Sequence, residues 1–326
     1  MRRGFFKSLI FISVSVIVLT ASLYLFKDGV MPDKPVQVQS PIMISAYQSR
    51  NSSRKPVLIH YPIDPAPGDF LILEAGPFPV QEPYQLDLGF PGDVLEVYKA
   101  GQSFYFLTSV CFDAEPGDYL ASFMVGDEEP KIFNLAQTVR IAEKEFPLSR
   151  FSMPAGVTEG WTAARLAEDR EKVRIAREET EPYPLWNRPF LWPLDARVSS
   201  QFGAVRIINE NPPRRHMGID LAADEGEPII AINCGTVRLA EFLLSGGYTV
   251  IIDHGVNLSS TYMHLHEINV EPGQRVSRGD LVGTVGMTGY ATGPHLHFEV
   301  NLGQAAVNPE VILSRDMLLI PSGYIR

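Results

Sequence analysis

The sequence predicts a mainly β protein interrupted by one internal helix, and three observations carry that expectation. Between Pro56 and about Val139, short β-rich runs are separated by turns that contain proline and glycine. After Trp186 the same rhythm returns, in GEPIIAINCGTVRLAEF and GGYTVIIDHG, and suggests an antiparallel β core. Only Thr158 to Glu181 is dominated by Ala, Leu, Glu, Arg and Lys, the composition of a helix. At 326 residues the chain has room for two domains, and its 45% hydrophobic content is that of a globular protein. The net charge of −10 argues against nucleic-acid binding and against a polybasic grip on anionic lipid.

Taken in order, the chain opens with MRRGFFK and then runs from Ser8 to Phe26, nineteen residues, without a charge. That length spans a bilayer, and the positive-inside rule keeps Arg2, Arg3 and Lys7 in the cytoplasm while the remainder crosses. Thr20-Ala21-Ser22 offers small residues for cleavage but no clean A-x-A pattern, so residues 1–30 read as an uncleaved membrane anchor, with a removed signal as the alternative. Residues 31–55 are polar and proline-bearing and read as a stalk.

Residues 56–145 are expected to form a β-sandwich, immunoglobulin-like in architecture only, because the Cys…Trp…Cys pattern is missing. The candidate strands are VLIHY, FLILEA, VLEVY, SFYFLTSVCF and YLASFMV. A Pro-Gly-Asp triplet recurs at Pro67, Pro91 and Pro116, each time ahead of a β-rich run. Proline and glycine supply the turn dihedrals and aspartate bonds back to the backbone. His60 has no partner motif and reads as structural. Cys111 and Cys234 lie far apart in strand-like segments and read as thiols rather than as a bridge; with no CxxC, a cysteine metal site is not expected.

Residues 146–185 read as a helical linker. Trp161, Leu166, Val173 and Ala176 are expected to form one apolar stripe, Glu168 and Lys172 a favourable i,i+4 pair, and Pro182 and Pro184 the stop.

The chemistry is concentrated after residue 186. Six of the seven histidines fall beyond residue 215. In GMTGYATGPHLHFEV, turn residues lead into a strand whose period of two puts His295, His297 and Glu299 on one face and Leu296, Phe298 and Val300 on the other. RRHMGID supplies His216 and Asp220, with Gly218 between them arguing for strand or loop rather than helix. STYMHLHEI supplies His264 and His266, expected together with Tyr262 on one strand face, and pattern alone does not choose between them. VRIINENPPRR reads as a loop that walls a cleft. Imidazole and carboxylate from three distant segments form a donor set that suits zinc.

HMGID, YMHL and TGPHLHFEV, in this order and spacing, resemble the three signatures of the lysostaphin/LytM-type zinc metallopeptidases, which cut the cross-bridges or stems of peptidoglycan. The resemblance runs from about Trp186 to Pro309, well under half of the chain. It implies an antiparallel β peptidase domain of the duplicated hybrid motif over 186–326, and one Zn2+ held by His216, Asp220 and His297 with water as the fourth ligand. Through its Y-x-H-L signature it implies His264 rather than His266 as a catalytic histidine, with His295 as the second. His254 corresponds to a histidine-bearing turn that is not a ligand, and His266 to a solvent-facing strand end. The implied function is cleavage of peptidoglycan peptide bonds outside the cytoplasm, periplasmic in a diderm envelope. The alternative is a non-enzymatic scaffold or activator of other wall hydrolases, such as arises in this family by loss of ligands; here all five positions are filled.

Overall fold

The computed structural model describes residues 56–78, 84–92, 94–125, 133–154, 156–186, 188–209 and 211–314. The expected anchor and stalk lie outside them. Among the described residues no helix is long and apolar enough to cross a membrane.

The middle region contains β1 (Val57–Tyr61), β2 (Phe70–Gly76), β3 (Tyr84–Asp87), β4 (Val94–Ala100), β5 (Ser103–Ser109), β6 (Gly117–Val125) and β7 (Phe133–Ile141). All five predicted runs are strands, and Pro67-Gly68-Asp69 and Pro116-Gly117-Asp118 stand at the entry of β2 and β6; Asp93 of the remaining triplet lies outside the described residues. They pair in two antiparallel sheets, β1-β2-β5-β4 and β3-β6-β7. Strands β2 and β5 are buried along almost their whole length, the mark of a strand covered on both faces. The period of two sorts their side chains. Leu71, Leu73, Phe104 and Phe106 face Ala121, Phe123, Val139 and Ile141 of the second sheet. Phe70, Ile72, Tyr105 and Leu107 join the core of the C-terminal region instead. The middle sheets and the C-terminal sheet therefore share apolar layers. Cys111 and Cys234 are half-buried and form no disulfide.

Beyond β8 (Leu148–Phe151), helix α1 runs Ala163–Glu178, shorter at both ends than the composition suggests. Thr162 caps it, accepting from the Arg165 N–H at 3.2 Å. It stops at the Glu179 cap, before Pro182 is reached. Trp161 consequently falls outside the helix and packs on Tyr290, with ring centroids 5.7 Å apart. Val173 and Ala176 do share a face, buried against Leu239, Leu243 and Ile251. Lys172 reaches Glu168 at 3.7 Å and Glu241 at 2.8 Å.

The C-terminal strands are β9 (Arg197–Ser200), β10 (Val205–Ile208), β11 (Arg214–Arg215), β12 (Ile219–Ala222), β13 (Pro228–Ile230), β14 (Gly235–Leu243), β15 (Gly247–Asp253), β16 (Leu258–Ile268), β17 (Arg275–Val276), β18 (Leu281–Val285), β19 (Leu296–Leu302) and β20 (Ala305–Val307), followed by α2 (Pro309–Leu313). The main sheet runs β17-β14-β15-β16-β19-β12-β9. VRIINENPPRR is thus not wholly a loop: its first half is β10, which pairs in parallel with β8 and antiparallel with β11. The two regions are also joined by hydrogen bonds. Asp69 accepts from Lys144 Nζ at 3.1 Å and from Asn308 Nδ2 at 3.0 Å, and Asn308 N–H donates to the Gly68 carbonyl at 2.9 Å.

Candidate metal centre

Strand β19 lies between β16 and β12 in the sheet, so residues from three sequence-distant segments meet across it. The register pairs Asp220 with His297 and Met263 with His297. Leu296, Phe298 and Val300 are fully buried in the core, while His297 and Glu299 share the opposite face. Gly218 is what lets the HMGID segment approach. A Cβ there would sit 2.3 Å from the Phe298 carbonyl oxygen and 2.9 Å from Glu299 Cγ.

Three donor atoms converge. His216 Nε2 is 3.0 Å from Asp220 Oδ1 and 2.9 Å from His297 Nδ1, and His297 Nδ1 is 2.8 Å from Asp220 Oδ1. The other nitrogen of each ring is already committed. His216 Nδ1–H donates to the Gln201 carbonyl at 2.9 Å, and His297 Nε2–H donates to Glu299 Oε1 at 3.0 Å. A carbonyl and a carboxylate can only accept, so in the neutral rings the two nitrogens turned toward Asp220 are bare. Three electron-rich atoms facing one another in a buried site call for a shared positive charge, a proton or a metal ion. Two imidazole nitrogens and one carboxylate oxygen are the donors of a catalytic zinc site. Ligand distances of about 2.0–2.2 Å would set such atoms about 3.3 Å apart, close to the spacing here. Among the described residues this is the one cluster of at least three metal-ligating side chains.

The electrostatics point the same way. Burial disfavours a charge on His297, but the Asp220 and Glu299 carboxylates outweigh it and push it up to about 9. Burial works against the Asp220 charge too, yet the His216 and His297 rings hold it far below the usual carboxylate range. For His216 burial prevails and lowers it. The second Asp220 oxygen accepts from the Arg206 guanidinium, which also donates to Ser200 Oγ at 2.7 Å. Glu299 Oε2 accepts from Arg177 of α1 at 2.7 Å.

His264 and His295 stand beside this cluster, ring centroids 4.8 Å apart, and His264 is 6.0 Å from His297. Each is held by its Nδ1–H, His264 donating to the Thr288 carbonyl and His295 to the Gly293 carbonyl, both at 2.8 Å. Each therefore turns Nε2 outward, and His295 Nε2 is 3.8 Å from Asp220 Oδ1. Burial, reinforced by His297 and His295, drives His264 down to about 3.

One expectation is corrected here. Tyr262, His264 and His266 do not share a strand face. Tyr262 is completely buried in the core, and His266 is half-exposed and bonded to Glu225 at 2.6 Å. The register of β16 shifts twice, between its partners Tyr248 and Val250 and again between Leu265 and Glu267, and His264 has φ +63°. A bulge inserts a residue and reverses the parity of the strand, so His264 turns from the core into the site. His254 lies outside the cluster. Its Nδ1–H donates to the Cys234 carbonyl and its Nε2 meets Ser260 Oγ, both at 2.8 Å. His60 is likewise remote, with Nδ1–H donating to the Pro62 carbonyl at 2.9 Å. The roles of Arg177, Arg206 and Glu299 were not read from the sequence. Glu299 carried a signal, its place two residues after His297 on the same face, whereas the arginines carried none.

Comparison with known proteins adds a family to this geometry. The model of peptidase family M23 matches residues 214–309. An uncharacterized metalloprotease of Buchnera aphidicola is 40% identical over 126 residues, 38% of this chain and 33% of that protein. Peptidoglycan DD-endopeptidase ShyC of Vibrio cholerae is 37% identical over 122 residues, 37% of this chain and 28% of that protein. The chain thus spans about a third or less of the length of these curated relatives. A crystal structure from Pseudomonas aeruginosa, described as a candidate peptidase M23, aligns at 26% identity with a TM-score of 0.54, over 76% of this chain and 94% of that one. That alignment reaches well outside residues 214–309, into the β sheets that precede them. Residues 214–309, which carry His216, Asp220, His264, His295 and His297, are thus the part of the chain that is similar to peptidase family M23.

Proposed function

We propose that this chain is a zinc metalloendopeptidase that hydrolyses peptide bonds of peptidoglycan, of the DD-endopeptidase type named for its Vibrio cholerae relatives. The observation that carries this reading is the convergence of His216 Nε2, His297 Nδ1 and Asp220 Oδ1 within 3.0 Å, with the outer nitrogen of each imidazole already committed. These three residues would hold the metal, leaving a fourth position open as catalytic sites do. A zinc ion bound there supplies a coordinated water with its pKa lowered toward about 7 and a Lewis acid for the scissile carbonyl.

The chain's own residues do the rest. His264 and His295 each present Nε2 with its lone pair outward, because Nδ1–H is spent on a backbone carbonyl. Burial keeps His264 neutral at any physiological pH, so its Nε2 lone pair stays free to accept a hydrogen bond and orient the attacking water. His295, 18% exposed at its side chain, lies on the more open side, where its Nε2 lone pair accepts a hydrogen bond from the attacking water. Glu299 holds the His297 ring, and Arg206 holds the second oxygen of Asp220, so neither ligand turns during turnover. The scaffold reading would leave this complete set of donors and two further histidines without a use.

In the same reading residues 1–30 anchor the chain, residues 56–145 form an immunoglobulin-like sandwich that buttresses the peptidase region at 186–326, and the substrate lies outside the cytoplasm. The test is zinc content together with peptide release from purified peptidoglycan, on the full-length chain. Wild type is expected to hold one zinc and cut, His297→Ala to lose both, and His295→Ala to keep zinc and lose cutting. Zinc-loaded wild type that releases no peptide from peptidoglycan refutes the proposed activity.

A further inference from the structure

Helix α1 precedes the family-matched segment, yet one of its side chains ends at the metal cluster. Arg177 sits in the last turn, 11% exposed, and donates to Glu299 Oε2 at 2.7 Å; it also reaches Thr261 Oγ1 at 3.4 Å. Glu299, 10% exposed, uses its other oxygen, Oε1, to accept from His297 Nε2–H at 3.0 Å. His297 then turns Nδ1 toward His216 and Asp220. The path is continuous: guanidinium, carboxylate, imidazole, metal position.

We propose that Arg177 is a positioning residue for the metal centre and that helix α1 is thereby a working part of the site. This inference rests on the reading of His216, Asp220 and His297 as metal ligands. A carboxylate behind a ligating imidazole fixes its tautomer and ring angle and raises its basicity, and losing such a partner typically weakens metal binding 10- to 100-fold. Here the carboxylate itself needs a partner. Glu299 and Arg177 line a cavity of about 770 Å³ between α1 and the sheet, together with Trp161, Met217 and Tyr290. Without Arg177, Glu299 is a buried anion open to that cavity on one side, and water competes with His297 for it.

The helix is fastened for this task. Val173 and Ala176 are packed on Leu239, Leu243 and Ile251, Lys172 pairs with Glu241, and Asp169 Oδ2 accepts from the Leu244 N–H at 2.7 Å. Arg174, three residues before Arg177 on the same helix, pairs among the described residues with Glu171 and Glu178 of that helix. It provides the control.

The test is the zinc affinity of the full-length chain, by competition with a chromogenic chelator, for wild type, Arg177→Met, Glu299→Gln, the double variant and Arg174→Met. Metal-free melting curves run in parallel report folding separately. Arg177→Met and Glu299→Gln are each expected to weaken zinc binding 10- to 100-fold. The double variant should lose little more than either single, because both break one path. Arg174→Met should bind as wild type. A folded Arg177→Met chain with wild-type affinity overturns the proposal. Should that variant not fold, the isosteric Glu299→Gln decides the question in its place: wild-type affinity there overturns the proposal equally. A wild-type chain that takes up no zinc overturns the metal reading itself and this inference with it, an outcome distinct from equal affinities.

Discussion

Gly218→Ala tests whether the metal site depends on how closely two strands approach. Gly218 lies midway between His216 and Asp220, and its Cα faces the backbone of β19 at the step from Phe298 to Glu299. An added Cβ would stand 2.3 Å from the Phe298 carbonyl oxygen and 2.9 Å from its carbonyl carbon, whereas ordinary contact begins at 3.4 Å. The shortfall is about 1 Å, and the obstacle is backbone in the middle of a sheet, not a side chain that can rotate away. The strand carrying His216 and Asp220 must therefore lift from the strand carrying His297. The two donor distances that cross between the strands, now 2.9 and 2.8 Å, would move toward about 4 Å, too far for one ion to bind all three at about 2.0–2.2 Å. Overpacking of this kind costs about 1–3 kcal/mol of stability. The loss at the site should be larger than the loss in the fold, because one ligand pair separates from the third. The assay is zinc stoichiometry and chelator competition beside a thermal melt. We expect a folded chain with a lowered melting temperature and a zinc affinity reduced at least 100-fold. A Gly218→Ala chain that binds one zinc with wild-type affinity would refute the reasoning, since the site would then tolerate strand separation.

Three further outcomes follow from single contacts. Complete burial holds His254 down at about 4 against an ordinary 6.5, so its neutral form stabilises the fold fully above pH 6.5, and about 3 kcal/mol is lost as pH falls from 6.5 through about 4; His254→Asn should flatten that limb in a pH series of denaturant melts. Asp69→Ala strips partners from Lys144 and the buried Asn308 and should cost about 3 kcal/mol in the same melts, with zinc affinity unchanged. Phe202, 2% exposed, stacks on Phe112 with centroids 5.1 Å apart, and Phe202→Ala should cost about 3–5 kcal/mol, read as a shift of the denaturant midpoint at constant slope.

Periodicity made much of this legible. The period of two in HLHFEV places His297 and Glu299 opposite Leu296, Phe298 and Val300, and the structure keeps that division. Gly218 argued against a helix in HMGID, and its close approach to β19 explains why. Parity also failed where the backbone departs from regular pleating. Nothing in STYMHLHEI announces a bulge, so alternation placed His264 with Tyr262; the extra residue and φ +63° put them on opposite faces. The ends of α1 were overdrawn because composition continues to favour helix on either side, while the Thr162 cap and the Glu179 cap decide where it starts and stops. Arg177 was unreadable for another reason: its partner Glu299 is 122 residues away, and one arginine among several on a charged helix carries no mark of which one is buried.

That distance bears on where the functional unit ends. The family match begins at residue 214, but much of what orients the metal cluster lies before it. Gln201 fixes the His216 tautomer, Arg206 holds Asp220, and Arg177 holds the carboxylate behind His297. The segment carrying Gln201 and Arg206 is itself held by residues between Phe112 and Phe151. Phe112 stacks on Phe202, β8 pairs with β10, and the Arg215 guanidinium sits 4.9 Å from the Phe112 ring and 4.6 Å from the Phe146 ring, one residue before His216. The donors are supplied by the matched segment, and their orientation is supplied by residues 112–206. A fragment cut at residue 214 would keep His216, Asp220, His264, His295 and His297 and lose the groups that aim His216, Asp220 and His297. It should therefore bind zinc more weakly than the full chain.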